Sequence, residues 1–263
     1  MAVLQLLLVA PPRALQIAAG NRVDGVMVDL EQRGKRARQL GFDTQINHQN
    51  IASVRAVASI ATAPIVVRIN ALSARSSRDI DQLIEQNVHA IMLPMARSLA
   101  DVERFLRLVA GRARTIVQVE TPELFASAAG LRELPWDWLY VGLNDLMVAR
   151  RDGFLWQPFA DGSLERFCAA LAPRQAGFGG VTVIGRGEPI PTLELIAEMV
   201  RLRCNLTVLR RSFMRDIDRS DVSHEISKIR RSFADLAADP SRLSALCLSL
   251  QARLQLLRTR QTA

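Results

Sequence analysis

The chain has 263 residues, 49% of them hydrophobic, and a formal net charge of +8. That length suits one barrel domain or two small domains and allows a sizeable buried core. Its three cysteines, Cys168, Cys204 and Cys247, are odd in number, far apart in sequence and without a CxxC pair, which excludes a disulfide framework and fits a reducing, cytoplasmic compartment.

The basic excess is nearly all arginine, with Lys35 and Lys228 as the two lysines. Excess arginine can neutralise phosphates, so an Arg-rich nucleic-acid binder is one rival reading. The arginines are scattered, however, and aromatic side chains for base stacking are few. A solvated basic surface is the simpler account, and its positive field would favour anionic small molecules.

In chain order, the apolar run Val3 to Ala10 comes first. No basic residues precede it, Pro11-Pro12-Arg13 follow at once, and a bilayer span needs about 20 residues, so it reads as a buried strand. Further strands are expected at Asp24–Glu31, Pro64–Asn70, Ala90–Pro94, Thr115–Glu120, Trp138–Gly142, Gly179–Ile184 and Leu206–Arg210. Such continuous β-branched runs mark parallel strands covered on both faces.

Helical patterns lie between them. Gly20-Asn21 is expected to end the first, and Asn47 or His48 to open one running to about Ala61. Ser98 with Asp101 resembles a capping box. Thr121-Pro122-Glu123 supplies an N-cap, a first-turn proline and a carboxylate at the favourable dipole end. Pro191 opens another. Two connections, Gln32 to Asn47 and Leu146 to Gly162, are long and leave the C-terminal ends of strands, where barrels build active sites. Near the C-terminus, Val222, Ile226, Ile229, Phe233 and Leu236 repeat at helical spacing, and Leu243, Leu246, Leu250, Leu254 and Leu257 repeat again beyond Asp239-Pro240. The pattern predicts an α/β chain folded as a (β/α)8 TIM barrel over 1–238, with an extra C-terminal helix over 239–263 for packing or subunit contact. An open doubly wound sheet is the alternative.

The chemistry gathers at strand ends. Asp29 and Glu31, Arg68 and Asn70, and Gln118 and Glu120 are pairs two residues apart, and each pair shares one strand face. Asp145 follows the sixth strand in Gly142-Leu143-Asn144-Asp145. Singly, Asp29 could pair with Arg68 and Asp145 could cap a helix. Together they line one mouth with charge, which costs several kcal/mol per buried ion unless paired or metal-bound.

From about Val23 to Phe213 the chain resembles the HpcH/HpaI aldolase and citrate lyase β-subunit family. The matching segments are Asp29-Leu30-Glu31 followed by Gly34-Lys35 and Arg38-Gln39, then Val67-Arg68-Ile69-Asn70, Ile91-Met92-Leu93-Pro94-Met95, Val117-Gln118-Val119-Glu120-Thr121 and Gly142-Leu143-Asn144-Asp145-Leu146. The C-terminal fifty residues carry no part of it. The resemblance implies a metal-dependent carbon–carbon lyase acting on a 2-oxo acid or acyl-CoA-type substrate, forming a homo-oligomer (trimer or hexamer).

By that resemblance Glu120 and Asp145 are the ligands of Mg2+ or Mn2+, as two carboxylates without His or Cys suit a hard cation. Arg68 meets the substrate's oxygens and stabilises an enolate. The backbone around Gly142, Asn144 and Asp145 holds the substrate carboxylate, and Gln118 lines the pocket. Asp29 and Glu31 hold Arg68 or bind a metal-ligated water. A Schiff-base mechanism would need Lys35, for which a structural salt bridge is the simpler role; Lys228 falls in the last barrel helix.

One position departs from the family. The aldolase branch has a histidine after the second-strand glutamate, and the citrate lyase branch an acid; here Gln32 stands there and cannot take a proton. A metal-bound water, Glu31 or His48 would then be the base, and a barrel that binds a carboxylate ligand without turnover is a second rival reading. His89 and His224 are expected to be uninvolved. Gly177-Phe178-Gly179-Gly180 with Arg210-Arg211 is either a phosphate cradle, favouring a phosphorylated or CoA-linked substrate, or a tightly packed turn.

Overall fold

The computed structural model describes residues 5–9, 23–32, 49–210, 212–217 and 222–262, with the backbone alone for 5–9 and 260–262. Its strands are β1 (Gln5–Val9), β2 (Gly25–Asp29), β3 (Ile65–Arg68), β4 (Ala90–Leu93), β5 (Arg114–Val119), β6 (Trp138–Val141), β7 (Gly177–Phe178) and β8 (Leu206–Val208). All neighbours pair in parallel and in chain order, and β8 returns to β1 (Gln5 opposite Leu206), closing the sheet.

The helices described are α1 (Ile51–Ala58), α2 (Ser76–Ile84), α3 (Leu99–Val109), α4 (Pro122–Phe125), α5 (Ala128–Arg132), α6 (Leu143–Arg150), α7 (Gln157–Ala160), α8 (Ser163–Leu171), α9 (Thr192–Arg201), α10 (Phe213–Asp216), α11 (Val222–Ala238) and α12 (Pro240–Thr262). At least one follows each strand from β2 to β8. The connection after β1, with the expected stop at Gly20-Asn21, lies outside the described residues, as do Lys35, His48 and most of the loop from Gln32 to Asn47.

Alternation along the strands builds two cores. Val26, Val28, Val67, Ile91, Leu93, Val117, Val119, Leu139 and Val141 face the helices and join the large outer cluster. Met27, Val66, Ala90, Met92, Ile116 and Leu206 face inward and form a separate cluster, with Trp138, Tyr140 and Val208 packed against it. One residue of shift would exchange the two sets, so this pattern fixes register and sends the next inward positions, Asp29, Arg68, Gln118 and Gly142, toward the C-terminal mouth.

The capping signals act as expected at α3, where Ser98 and Asp101 form a capping box, and at α4, where Thr121 accepts from the Leu124 N–H. Three expectations are corrected. The helix expected to open at Asn47 or His48 begins at Ile51, because Asn50 caps it and Ser53 completes the box. The stretch from Leu146 to Gly162 is not a loop: α6 and α7 occupy most of it. The seventh strand is not Gly179–Ile184 but Gly177–Phe178. It ends there because Gly180 has φ +118 and the chain turns under Trp156, while Gly177 lies so close to the Leu206 backbone that no Cβ would fit. Strands β2 to β6 and β8 stop one or two residues short of their expected ends.

Asp239 breaks the chain as expected, and α12 turns back to pack on α9. Leu250 and Leu254 are buried, and Leu243, Leu246 and Leu257 lie against the same core. Glu194 on α9 accepts hydrogen bonds from Ser249 Oγ (2.9 Å), Arg253 Nε (2.9 Å) and Arg253 Nη2 (3.0 Å). Cys168 and Cys204, remote in sequence, meet with sulfurs 4.0 Å apart as free thiols. No helix among the described residues is long and apolar enough to cross a membrane.

Candidate active site

Arg68 ends β3 and anchors the mouth. Its fork meets Asp29 from the next strand, Nε to Oδ1 at 2.9 Å and Nη2 to Oδ2 at 2.7 Å. Glu31 Oε2 lies 3.6 Å from Nε. The third nitrogen, Nη1, donates to Gln118 Oε1 at 3.3 Å. Gln118 in turn donates through Nε2 to Glu120 Oε2, and Glu120 Oε1 accepts from the Met95 N–H at 2.8 Å. Met95 reaches that position in the left-handed region, φ +56. One hydrogen-bonded chain therefore runs Asp29–Arg68–Gln118–Glu120 across three strands, joining residues whose i, i+2 spacing placed them on the inward face.

Gly142 completes the wall. A Cβ there would stand 2.7 Å from both Gln118 Nε2 and Glu120 Oε2, so glycine is required by the approach of those side chains. Gly142 also N-caps α6 without a side-chain cap, leaving the first-turn N–H groups at the mouth. Asp145, buried, sits in that first turn, whereas the Asn144 side chain is exposed.

The electrostatics are lopsided. Asp29, Glu31 and Glu120 are each no more than 1% exposed and Asp145 is 7% exposed, and Arg68 is the cation placed among them. Burial works against the guanidinium, but Asp29 foremost, then Glu31 and Glu120, hold it protonated and raise its pKa overall. Glu120 is pushed up to about 8, chiefly by burial and then by the charges of Asp145 and Glu31, against the opposing pull of Arg68 and the Met95 N–H. Asp145 is thus among the charges that act on Glu120. Among the described residues no three acidic, histidine or cysteine groups form a metal-holding cluster. Glu120 and Asp145 are two carboxylates of the kind that could hold a hard divalent cation, with waters and substrate oxygens completing its shell. Such an ion would also neutralise an excess of negative charge that Arg68 alone cannot.

Gln32 makes a structural anchor in place of a base. Its N–H donates to Asn70 Oδ1 (3.0 Å) and its Nε2 to the Gln49 carbonyl (2.8 Å), while Gln49 Oε1 accepts from the Asp29 N–H (2.7 Å). His89 accepts from the Ile65 N–H at the opposite end of the barrel, and His224 is exposed on α11. Lys228 pairs with Glu225 on the same helix at 2.6 Å. The glycine run of β7 is occupied by close packing: Gly177 against Leu206, Gly179 against the Tyr140 hydroxyl, Gly180 against Trp156 and Leu195. Arg210 donates to the Glu188 carbonyl, and Arg211 lies outside the described residues.

Two contributors escape a reading of the motifs. The Met95 N–H is aimed by backbone conformation, which no residue type announces. Tyr140 points inward from β6, two residues before Gly142, and its pKa is raised, mainly by burial and further by Glu120, with Arg68 opposing. Its i, i+2 relation to Gly142 was the available signal.

No protein-family model matches this sequence, and no curated protein does either. Solved structures do share its fold. A Mycobacterium tuberculosis protein, CitE, crystallised with magnesium and pyruvate, is 21% identical, covers 90% of this chain and 99% of its own, and superposes with a TM-score of 0.60. An HpcH/HpaI aldolase from Desulfitobacterium hafniense is 14% identical over 82% of this chain and 89% of its own, with a TM-score of 0.59. RipC from Yersinia pestis is 18% identical over 88% and 94%, with a TM-score of 0.56.

Proposed function

We propose that this chain is a metal-dependent carbon–carbon lyase of the HpcH/HpaI aldolase and citrate lyase β-subunit type, with a complete (β/α)8 barrel and a 2-oxo acid or acyl-CoA-type substrate. The observation that carries the proposal is the chain of contacts from Asp29 through Arg68 and Gln118 to Glu120, with Asp145 acting on the same carboxylate. The neighbours add support, since the fold is shared with a structure holding magnesium and pyruvate and with another described as complexed with oxaloacetate and magnesium.

Glu120 and Asp145 would hold Mg2+, or Mn2+ in its place. Bound there, the cation supplies Lewis-acid polarisation of the substrate's carbonyl and carboxylate oxygens. Arg68, with its fork fixed by Asp29, presents Nη1 toward the site and stabilises negative charge that develops on the substrate as the carbon–carbon bond breaks. Gln118 keeps Arg68 and Glu120 at their separation and lines the pocket. The first-turn N–H groups of α6, around Asn144 and Asp145, receive the substrate carboxylate beside Gly142. Asp29 and Glu31 act by positioning Arg68. The packed β7 glycines remove the main support for a phosphorylated substrate and leave a small 2-oxo acid favoured. We place the enzyme in the cytoplasm as a homo-oligomer, in keeping with its free cysteines.

A panel of 2-oxo acids and acyl-CoA thioesters, mixed with the protein and Mg2+, tests the reading. Release of pyruvate or an acyl product is expected, abolished by chelator and by Glu120→Gln. Release indifferent to both would overturn the metal assignment. The Gln32 anchor favours a second reading, a barrel that binds a carboxylate ligand without turnover; tight Mg2+-dependent pyruvate binding with no product from any substrate would support it instead.

A further inference from the structure

Tyr140 is the one tyrosine of the chain, and no role above uses it. It stands opposite Gln118 in the β5–β6 ladder and packs its ring on the inner cluster of Met92, Ile116 and their neighbours. Its hydroxyl reaches toward the residue that follows β7, Gly179, which leaves room for it. A Cβ at 179 would overlap that oxygen, yet would meet the ring carbon Cζ at 3.6 Å, an ordinary contact. The missing side chain is thus matched to the hydroxyl and not to the ring.

Gln118, the partner of Tyr140 across the ladder, hydrogen-bonds both Arg68 and Glu120, and the phenol lies in the fields of those two charges. Tyrosine hydroxyls in protein interiors usually find a partner. Among the described residues no hydrogen bond from this one to a protein group is seen. Phenylalanine would fill the same apolar seat without requiring glycine just past the neighbouring strand.

We infer that Tyr140 is a catalytic residue of this site, its hydroxyl delivering a proton to the substrate carbon released by carbon–carbon cleavage. The inference rests on the lyase reading above. When the bond breaks, the hydroxyl on the departing fragment gives its proton to solvent as it becomes a carbonyl, and the electron pair of the broken bond stays on the 2-oxo fragment as an enolate. That pair forms the new C–H bond with the phenolic proton, the O–H electrons remain on Tyr140 as phenolate, and water returns a proton to it. Arg68 favours the phenolate in the interval, while burial and Glu120 oppose it and so drive its reprotonation. In reverse, the phenolate takes a proton from the methyl group of pyruvate, so the step can be followed without knowing the natural substrate.

Exchange of pyruvate methyl protons for deuterium, followed by proton NMR in D2O with Mg2+, reads that step, and calorimetry reads pyruvate binding separately. Wild type is expected to bind and to exchange. Tyr140→Phe should bind within about threefold of wild type and exchange about 100-fold more slowly, the usual contribution of a positioned acid–base group. Gly179→Ala should slow exchange in the wild-type background by displacing the hydroxyl, and should have no further effect on Tyr140→Phe, where nothing remains to displace. Circular dichroism confirms folding, and if Tyr140→Phe does not fold, Gly179→Ala retains the phenol and carries the test. Unchanged exchange in Tyr140→Phe, binding without exchange in wild type, or an equal effect of Gly179→Ala in both backgrounds would each overturn the role of Tyr140. Failure of wild type to bind pyruvate with Mg2+ would instead bring down the lyase reading, and this inference with it.

Discussion

The two ends of the barrel treat charge in opposite ways. At the N-terminal mouth a cavity of about 440 Å³ is lined mainly by Val23, Pro64, Val66, Ile116, Trp138 and Leu206. The charged groups on its rim are matched one to one: Asp24 with Arg230 at 2.6 Å and Arg114 with Asp137 at 2.6 Å. At the C-terminal mouth Asp29 and Glu31 both pair with Arg68, and Glu120 and Asp145 are two further buried carboxylates. Balanced pairs near solvent need no ligand. An unbalanced buried cluster raises the free energy of the empty protein and gives a divalent cation something to bind.

The largest departure from this comparison is expected from Arg68→Ala. It strands Asp29 and Glu31 in the interior and should cost about 3–5 kcal/mol, read by urea unfolding, together with all turnover. Gly142→Ala comes next. Its methyl would press on Gln118 and Glu120, costing about 1–3 kcal/mol for overpacking and weakening Mg2+ binding in a calorimetric titration.

The pH dependence sharpens the same contrast. Below its ordinary pKa of 4.5, Glu120 is protonated in folded and unfolded chains alike. Between there and about 8 the folded chain keeps a proton that the unfolded chain gives up, so metal-free stability should fall as pH rises through that window. Mg2+ binds the carboxylate form and should restore the melting temperature more at pH 8.5 than at pH 6. A metal-free melting temperature that rises across this range, or an Mg2+ effect larger at pH 6, would contradict the assignment. The smallest effect belongs to the other mouth. Arg114→Ala removes half of a pair in which the arginine side chain is 70% exposed, so less than about 1 kcal/mol is expected.

How far the sequence speaks depends on what each feature needs. Strands such as Ile65–Arg68 and Arg114–Val119 are legible because burial on both faces demands unbroken apolar runs. The inward pairs Gln118 and Glu120, or Arg68 and Asn70, follow from strand geometry. β7 is not legible, since its two residues carry glycine where the Leu206 backbone approaches, and spacing along one strand is silent about its neighbour. α6 escapes because it is short and its buried side chains do not form a clean stripe. The match of Gly179 to the Tyr140 hydroxyl, and the aim of the Met95 N–H, exist only after the sheet closes.

The ion-paired seat of α12 on α9 has a wider reach than its own helix. α9 is the segment that joins β7 to β8, and these two strands meet through a single residue pair, Gly177 with Leu206. The wall is thinnest there, and Glu194 fastens the far end of the chain across its outside. The C-terminal helix therefore braces the seam that borders Tyr140, and severing Arg253 from Glu194 should loosen that side of the barrel from outside it.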